Sequence, residues 1–297
     1  MVSPQIHSLK LFCDVVRQRS FSQAATENGI TQSAASQTVQ SIEQYVGTRL
    51  IDRSKRPLNP TDDGQRFFDS VHPLVRQLGA VMDEMRQSTG LVTGRVSVAA
   101  IYSIGLCYLP EVEQAFADRF PSASLTVDLA HPDDVYRAVE SGAAEIGLVS
   151  FPNQTATLGA TPWREEAMAM IAGPDHPLAG RRSIGIAELE GLPLVAFAPH
   201  LRIRRAIDKC LKAQNLRMRT VVELDNLDSV CHAVTVNNAS AIVPEPAVAG
   251  ELSSGSLVRL DIDRLSMTRP LGIVHRRDLS LSRAARGLID LLRESVD

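Results

Sequence analysis

Apolar positions recur at helical spacing through the first ninety residues. Leu9, Phe12 and Val16 form the inward stripe of a helix over 5–18. A second helix starts at Ser20, where Ser-Phe-Ser-Gln offers a capping box with Gln23, and stops at Asn28-Gly29 after about two turns. Ala24 and Ala25 leave room for another helix to cross close by, and Ile30 plugs the turn before Thr31 opens a third helix. There Ala35, Val39, Ile42 and Val46 are spaced four, three and four apart, as a buried stripe requires. The three segments describe a helix-turn-helix on a supporting helix.

Thr61 caps a longer helix whose first turn holds Asp62 and Asp63 against the positive end of the helix dipole, and which is expected to reach about residue 88. Phe67, Val71, Leu74, Leu78, Val81 and Met85 alternate spacings of four and three. This heptad seam is narrower than the stripe of a helix facing its own domain, so it predicts pairing with a second copy. The competing arrangement packs the helix on its own C-terminal domain. Pro73 removes one helical hydrogen bond at a cost on the order of 3 kcal/mol, so a kink or restart is expected there.

Beyond the TGLVTG connection at 89–94 the pattern changes to alternating strands and helices. Strands are predicted over 95–101, 124–129 and 145–149, with helices over 106–119 and 132–141 between them. A second run, 162–268, holds strands at 167–172, 193–198, 220–224, 241–243 and 257–260 and helices at 202–214 and 227–236. A strand over 271–276 and an amphipathic helix over 280–295, with Leu281, Ala284, Leu288, Leu291 and Leu292 inward, close the chain. Such βαβ units predict parallel sheet and an α/β fold class. The predicted domains are a winged helix-turn-helix at 1–60, a linker helix at 61–90 and a two-lobed domain at 91–297, with lobe I at 91–161 and 269–297 and lobe II at 162–268.

The third helix turns Thr31, Gln32, Ser33, Ser36, Gln37 and Gln40 away from its buried stripe, and Glu43 is the only charge on that face. Solvated faces usually mix Lys, Glu and Arg. Short uncharged amides and hydroxyls suit base edges instead, since Gln pairs bidentately with adenine. Between 49 and 56, Arg49, Arg53, Lys55 and Arg56 face only Asp52, and Pro57 to Pro60 make a rigid return. That is a basic wing: Leu50 and Ile51 anchor it, and Arg53, Lys55 and Arg56 are expected on phosphates or in a minor groove. The charge balance is otherwise ordinary. Residues 1–90 carry ten Lys or Arg against nine Asp or Glu, and the remainder carries 21 against 25, which together give −3.

The order SFSQAA, ITQSAASQTVQSIE, TRLIDR and LNPTDDG resembles the N-terminal domain of the LysR-type transcriptional regulators, without a gap from residue 4 to about 63. Ser33 stands where that family often has Pro, and Gln37 where it often has Arg, so the operator sequence does not carry over. Weaker likenesses continue in the stretch from Leu109-Pro110, in GAAEIGL from Gly142, in HPLA at His176 and in RPLGIV at Arg269. The resemblance implies a periplasmic-binding-protein-like domain of two lobes that senses a small-molecule co-inducer, with no cofactor. It further implies that the protein binds double-stranded operator or promoter DNA, assembles as a dimer and then a homotetramer, and has RNA polymerase as a candidate partner.

In such a sheet the carboxyl ends of the strands and adjoining helix N-termini face the ligand cleft. Tyr102 and Ser103, Ser150 and Phe151, His200 and Arg202, Asn226 and Ser229, and Glu245 all follow predicted strands. His200 with Arg202 and Arg204 is compatible with an anionic effector; the same arginines could instead pair with local Glu. Neither catalytic nor phosphate-loop motifs occur, so an enzyme is not expected. Cys13, Cys107, Cys210 and Cys231 show no metal spacing and read as small buried hydrophobes, with a redox pair at Cys210 and Cys231 as the alternative. With no apolar run near 18 residues and no leader at Met1, the expectation is a cytoplasmic protein without a membrane partner. The rival from another class is a small-molecule-binding sensor whose helical arm only dimerises it.

Overall fold

The computed structural model describes residues 4–85 and 92–295. Three hydrophobic cores divide these residues into a helical head and two α/β lobes.

In the head, α1 (Ile6–Gln18), α2 (Phe21–Glu27) and α3 (Gln32–Val46) surround Phe12, Val15, Ala24, Ala35 and Ile42. Both expected caps form: Ser20 Oγ accepts the Gln23 N–H at 3.3 Å, and Thr31 Oγ1 accepts the Ala34 N–H at 3.2 Å. Burial of α1 goes beyond its predicted stripe, because Leu11, Cys13 and Val15 join Phe12 and Val16 where the linker helix covers a second side. Val46, expected inside, is exposed, since the last turn of α3 runs past the core to Gly47.

The wing is a two-stranded ribbon, β1 (Ile51–Asp52) antiparallel to β2 (Asn59–Pro60), seated on buried Leu50 and Ile51. Linker helix α4 (Asp62–Met85) follows directly, with Thr61 Oγ1 accepting the Gly64 N–H at 3.0 Å. Gly64 is obligatory there, because a Cβ would lie 1.8 Å from the Leu50 carbonyl oxygen. The helix runs unbroken through Pro73, so the expected restart does not occur. Residues 86–91, which hold the expected end of this helix and most of the TGLVTG connection, lie outside the described residues, as does the Met85 side chain.

Lobe I begins β3 (Gly94–Ile101), α5 (Tyr102–Arg119), β4 (Ala123–Ala130), α6 (Pro132–Glu140) and β5 (Ile146–Ser150). The long β6 (Leu158–Ala172) leads into lobe II, which holds β7 (Pro193–Phe197), α7 (Arg202–Ala213), β8 (Arg219–Leu224), α8 (Leu227–Val236), β9 (Ser240–Pro244), α9 (Ala249–Ser254) and β10 (Val258–Arg259). The chain returns through β11 (Met267–Arg276) to α10 (Arg283–Glu294), which packs on α5.

The sheet order is β4-β3-β5-β11-β6-β9-β7-β8, with β10 on β6. β3 is parallel to β4 and β5, and β7 to β8 and β9. β6 and β11 pair antiparallel with each other over ten register positions and cross from one lobe to the other, so the sheet is mixed. The lobe boundaries expected at 161/162 and 268/269 fall inside these continuous strands. Their charged middle, Arg164 to Glu166, obscured the strand signal. The strand expected over 257–260 shrinks to the two residues of β10, and α5 starts at Tyr102 instead of 106, placing Tyr102 and Ser103 in its first turn. Among the described residues no helix is long and apolar enough to cross a membrane.

Candidate nucleic-acid interface and ligand cleft

On the outer face of the head, Gln32, Ser33, Gln37 and Gln40 are exposed along α3, with Thr31 exposed at its N-cap. Lys55 and Arg56 are exposed on the wing. Asp52 shapes that wing by accepting the Ser54 N–H at 3.0 Å and hydroxyl at 2.6 Å, and these bonds hold its carboxyl below the usual range.

Arg53 is exposed, and its guanidinium is at the same time engaged by its neighbours. Its Nη1 donates to Ser36 Oγ at 3.0 Å, its Nη2 pairs with Glu43 at 3.0 Å, and its guanidinium lies 5.2 Å over the Phe21 ring. Ser36 is half-buried for the same reason. The anchor is Glu43, whose Oε1 also accepts the Leu50 and Ile51 N–H groups at 2.9 and 3.1 Å. One carboxylate thus joins α3, the wing backbone and Arg53. Sequence reading missed this role; the available signal was a lone acid on an otherwise uncharged face shortly before the wing.

At the cleft, the carboxyl ends of β3 and β5 bring Tyr102 and Ser103 beside Ser150 and Phe151. Tyr102 is 57% exposed. Ser103 is tied down from below: its Oγ accepts Arg269 Nη2 at 3.0 Å, and Arg269 Nε pairs with Glu166. The two charged residues are register partners on the crossing strands, and their side chains are 3% and 1% exposed. Glu166 Oε1 also accepts the Tyr108 hydroxyl at 2.6 Å. Burial, reinforced by that carboxylate, pushes the phenol well above its ordinary range. This network was not anticipated, although charged residues amid apolar strand sequence were its signature.

Two predicted residues of lobe II bridge to lobe I. Arg202 Nη1 donates to the Phe151 carbonyl at 3.1 Å and its guanidinium lies 5.4 Å over the Tyr136 ring, while the His200 and His131 ring centroids are 5.7 Å apart. The others are committed locally. Asn226 Oδ1 caps α8 by accepting the Ser229 N–H at 2.8 Å, and Glu245 pairs with Arg259 at 2.5 Å. Arg204 is engaged by Asp208, Glu223 and the Phe197 carbonyl, which is the local pairing that was the alternative to anion binding. A cavity of about 460 Å³ opens at the crossing strands between Phe151, Pro152, Trp163, Arg164, Pro270 and Leu271. Phe151 alone among the predicted cleft residues lines it.

Residues 6–65 match the family of bacterial regulatory helix-turn-helix proteins of the lysR type, and residues 89–297 match the LysR substrate binding domain. The chain belongs to the LysR family. It is a DNA-binding transcriptional regulator of the LysR type with an effector-binding domain. This LysR-type chain is 28% identical to a probable hydrogen peroxide-inducible genes activator of Mycobacterium avium, over 99% of its own length and 94% of the relative's. Among solved structures it is similar to full-length CbnR complexed with its target DNA, at TM-score 0.63 and 18% identity, covering 98% of this chain and 99% of that one. It is also similar to the regulatory domain of Synechocystis CcmR in complex with 2-PG, at TM-score 0.62 and 20% identity, over 69% of this chain and 98% of that one. The curated relatives are regulators of transcription, not enzymes.

Proposed function

We propose that this regulator reads operator DNA with Thr31, Gln32, Ser33, Ser36, Gln37 and Gln40 while Arg53, Lys55 and Arg56 hold the backbone or a minor groove, and that a small effector between the lobes modulates binding or bending. The observation that carries the reading is the Glu43 clamp, which fixes an uncharged amide-and-hydroxyl helix face and a basic wing as one rigid surface. Arg53 then acts by exchanging Ser36 and Glu43 for a phosphate, which frees the Ser36 hydroxyl for a base edge at the same moment.

The effector is a small metabolite contacting Tyr102, Ser103, Ser150 and Phe151 from lobe I and His200 and Arg202 from lobe II. Asn226 and Glu245 have a weaker claim, because their side chains serve lobe II, whereas Ser229 engages only its backbone N–H there. Dimerisation uses the part of the α4 seam beyond the head, where Leu74 is 65% exposed and Val81 is exposed, with Met82 exposed next to it, while Phe67 and Val71 pack on the head core. The assembly is a homotetramer, a dimer of dimers working in the cytoplasm with RNA polymerase as a further partner. A peroxide-sensing role, suggested by the mycobacterial relative's name, has less support: burial raises the Cys210 thiol and pushes that of Cys231 up to about 11, away from reactive thiolates.

The test is a salt-dependent shift of DNA from the protein's own upstream region. Arg53→Ala should weaken binding to all sequences and flatten the salt slope by about one unit, whereas Gln37→Ala should relax specificity at one or two base positions. Equal losses on specific and random DNA for both variants would overturn the division of roles.

A further inference from the structure

α4 has two working sides. Leu74, Val81 and Met82 are exposed, while His72 is 4% exposed and lies, with Pro73 and Arg76, against lobe I of the same chain. Arg76 reaches Glu145 Oε2 at 2.5 Å, Ser97 Oγ at 3.1 Å and the Gly142 carbonyl at 3.3 Å. Pro73 covers Gly142, where φ is +76° and an added Cβ would meet Pro73 Cγ at 3.1 Å, so the receptor is shaped for this helix. Glu145 is held in place from the far side by the Ser282 N–H at 2.7 Å and hydroxyl at 3.2 Å. A second tie joins the head itself: Glu27, the last residue of α2, pairs with Arg95 on β3.

The contact is polar and incompletely satisfied, unlike a permanent core. His72 stacks on Phe68 at 4.9 Å, yet its buried Nδ1 finds no hydrogen-bond partner among the described residues. Arg17 faces the like charges of Arg76 and Arg95. Such an interface is suited to release, since its ion pair needs Arg76 fully seated and a released His72 would recover water at its orphaned nitrogen.

Its position connects it to the cleft. Ser97 lies on β3, whose carboxyl end carries Tyr102 and Ser103; Glu145 immediately precedes β5, whose carboxyl end carries Ser150 and Phe151. The same two strands therefore have the linker's receptor at one end and the ligand residues at the other.

We propose that Arg76 and its receptor at Ser97, Gly142 and Glu145 form a releasable latch that fixes the DNA-binding head on lobe I of its own chain. This goes beyond the effector reading and stands without it, because docking needs no ligand. It gives each chain of an oligomer its own head-to-sensor joint, independent of the seam that pairs the linkers.

The experiment compares the full-length protein with Arg76→Ala and Arg76→Lys by hydrogen–deuterium exchange and small-angle scattering. With the latch open, exchange across residues 68–76 and 141–146 should rise by roughly tenfold or more and the radius of gyration should grow; Arg76→Lys, which keeps one point charge, should fall between. Exchange in the core strands of lobe II should match the parent. Unchanged exchange and size in Arg76→Ala would overturn the latch. So would a rise spread over both lobes with a lowered melting temperature, which would make Arg76 a purely structural residue. DNA enters none of these measurements, so their failure is separable from failure of the operator-reading assignment.

Discussion

Replacing Arg269 by Met tests the polar network beneath Ser103. The substitution removes a guanidinium whose side chain is 3% exposed and leaves Glu166, 1% exposed, with the Tyr108 hydroxyl as its one hydrogen-bond partner among the described residues. Breaking a buried pair by removing one member costs about 3 to 5 kcal/mol, because the surviving charge stays desolvated. For a unit of this size each kcal/mol lowers the melting temperature by about 2 to 4 °C, so calorimetry should show a fall of roughly 6 to 20 °C. The double variant Arg269→Met with Glu166→Leu removes both charges and should recover most of that loss, since an apolar replacement of a buried pair is often close to neutral. Ser103 also loses its donor at 3.0 Å in both variants, so the double variant should be stable yet show an altered ligand response. A single-variant loss below about 1 kcal/mol, or a double variant no better than the single, would refute the argument that the pair is mutually dependent.

Acid should loosen the head. Burial, then Arg76 and Arg17, lower the His72 pKa from 6.5 to about 3, against the opposing charge of Asp14. The unfolded or released state therefore binds the extra proton between those two values, so stability is level above pH 6.5 and falls below it by about 1.4 kcal/mol per pH unit. Melting curves at pH 7 and 5.5 should show this for the parent and lose most of it in His72→Phe; equal pH slopes would refute it. Leu78→Asp puts a charge at half-buried Leu78, between exposed Leu74 and Val81 on α4, and should yield monomers by light scattering with poor operator affinity, because bivalent half-site binding is lost. An unchanged mass would remove that seam as the dimer contact.

What the sequence made legible followed from local rules. The caps at Ser20 and Thr31, the close-crossing alanines and the buried Leu50-Ile51 base each follow from neighbours within a few residues, and periodicity exposes them. The candidate cleft was legible only in outline, because strand ends can be counted but partners cannot. Arg53 on Ser36, Arg202 on the Phe151 carbonyl, Arg269 on Glu166 and Arg76 on Glu145 are pairings over 17 to 103 positions. No spacing rule reports which acid or carbonyl an arginine will find. The middle of β6 was hidden for a related reason: Arg164, Glu165 and Glu166 run together, and only the pairing of buried Glu166 with Arg269 on β11 explains why they form a strand instead of a polar loop. The linker helix divides its expected seam: Phe67 and Val71 pack on the head core, Leu74 and Val81 are exposed, and His72 and Arg76 dock on the chain's own lobe.

The placement of β11 between β5 and β6 also sets the order in which the protein can be made. A ribosome delivers the head, the linker and β3 to β5 before all of lobe II, at roughly 5 to 20 residues per second. Lobe I stays open through that interval, with the edge of β5 unpaired, until Met267–Arg276 emerges to fill the gap and α10 seals the helix layer. Ser282, which steadies Glu145 for Arg76, arrives later than β11, at the start of α10. A nascent chain therefore holds a folded DNA-reading head well before it holds a working sensor. Any message truncated ahead of Met267 would release a head with no means of being told when to act.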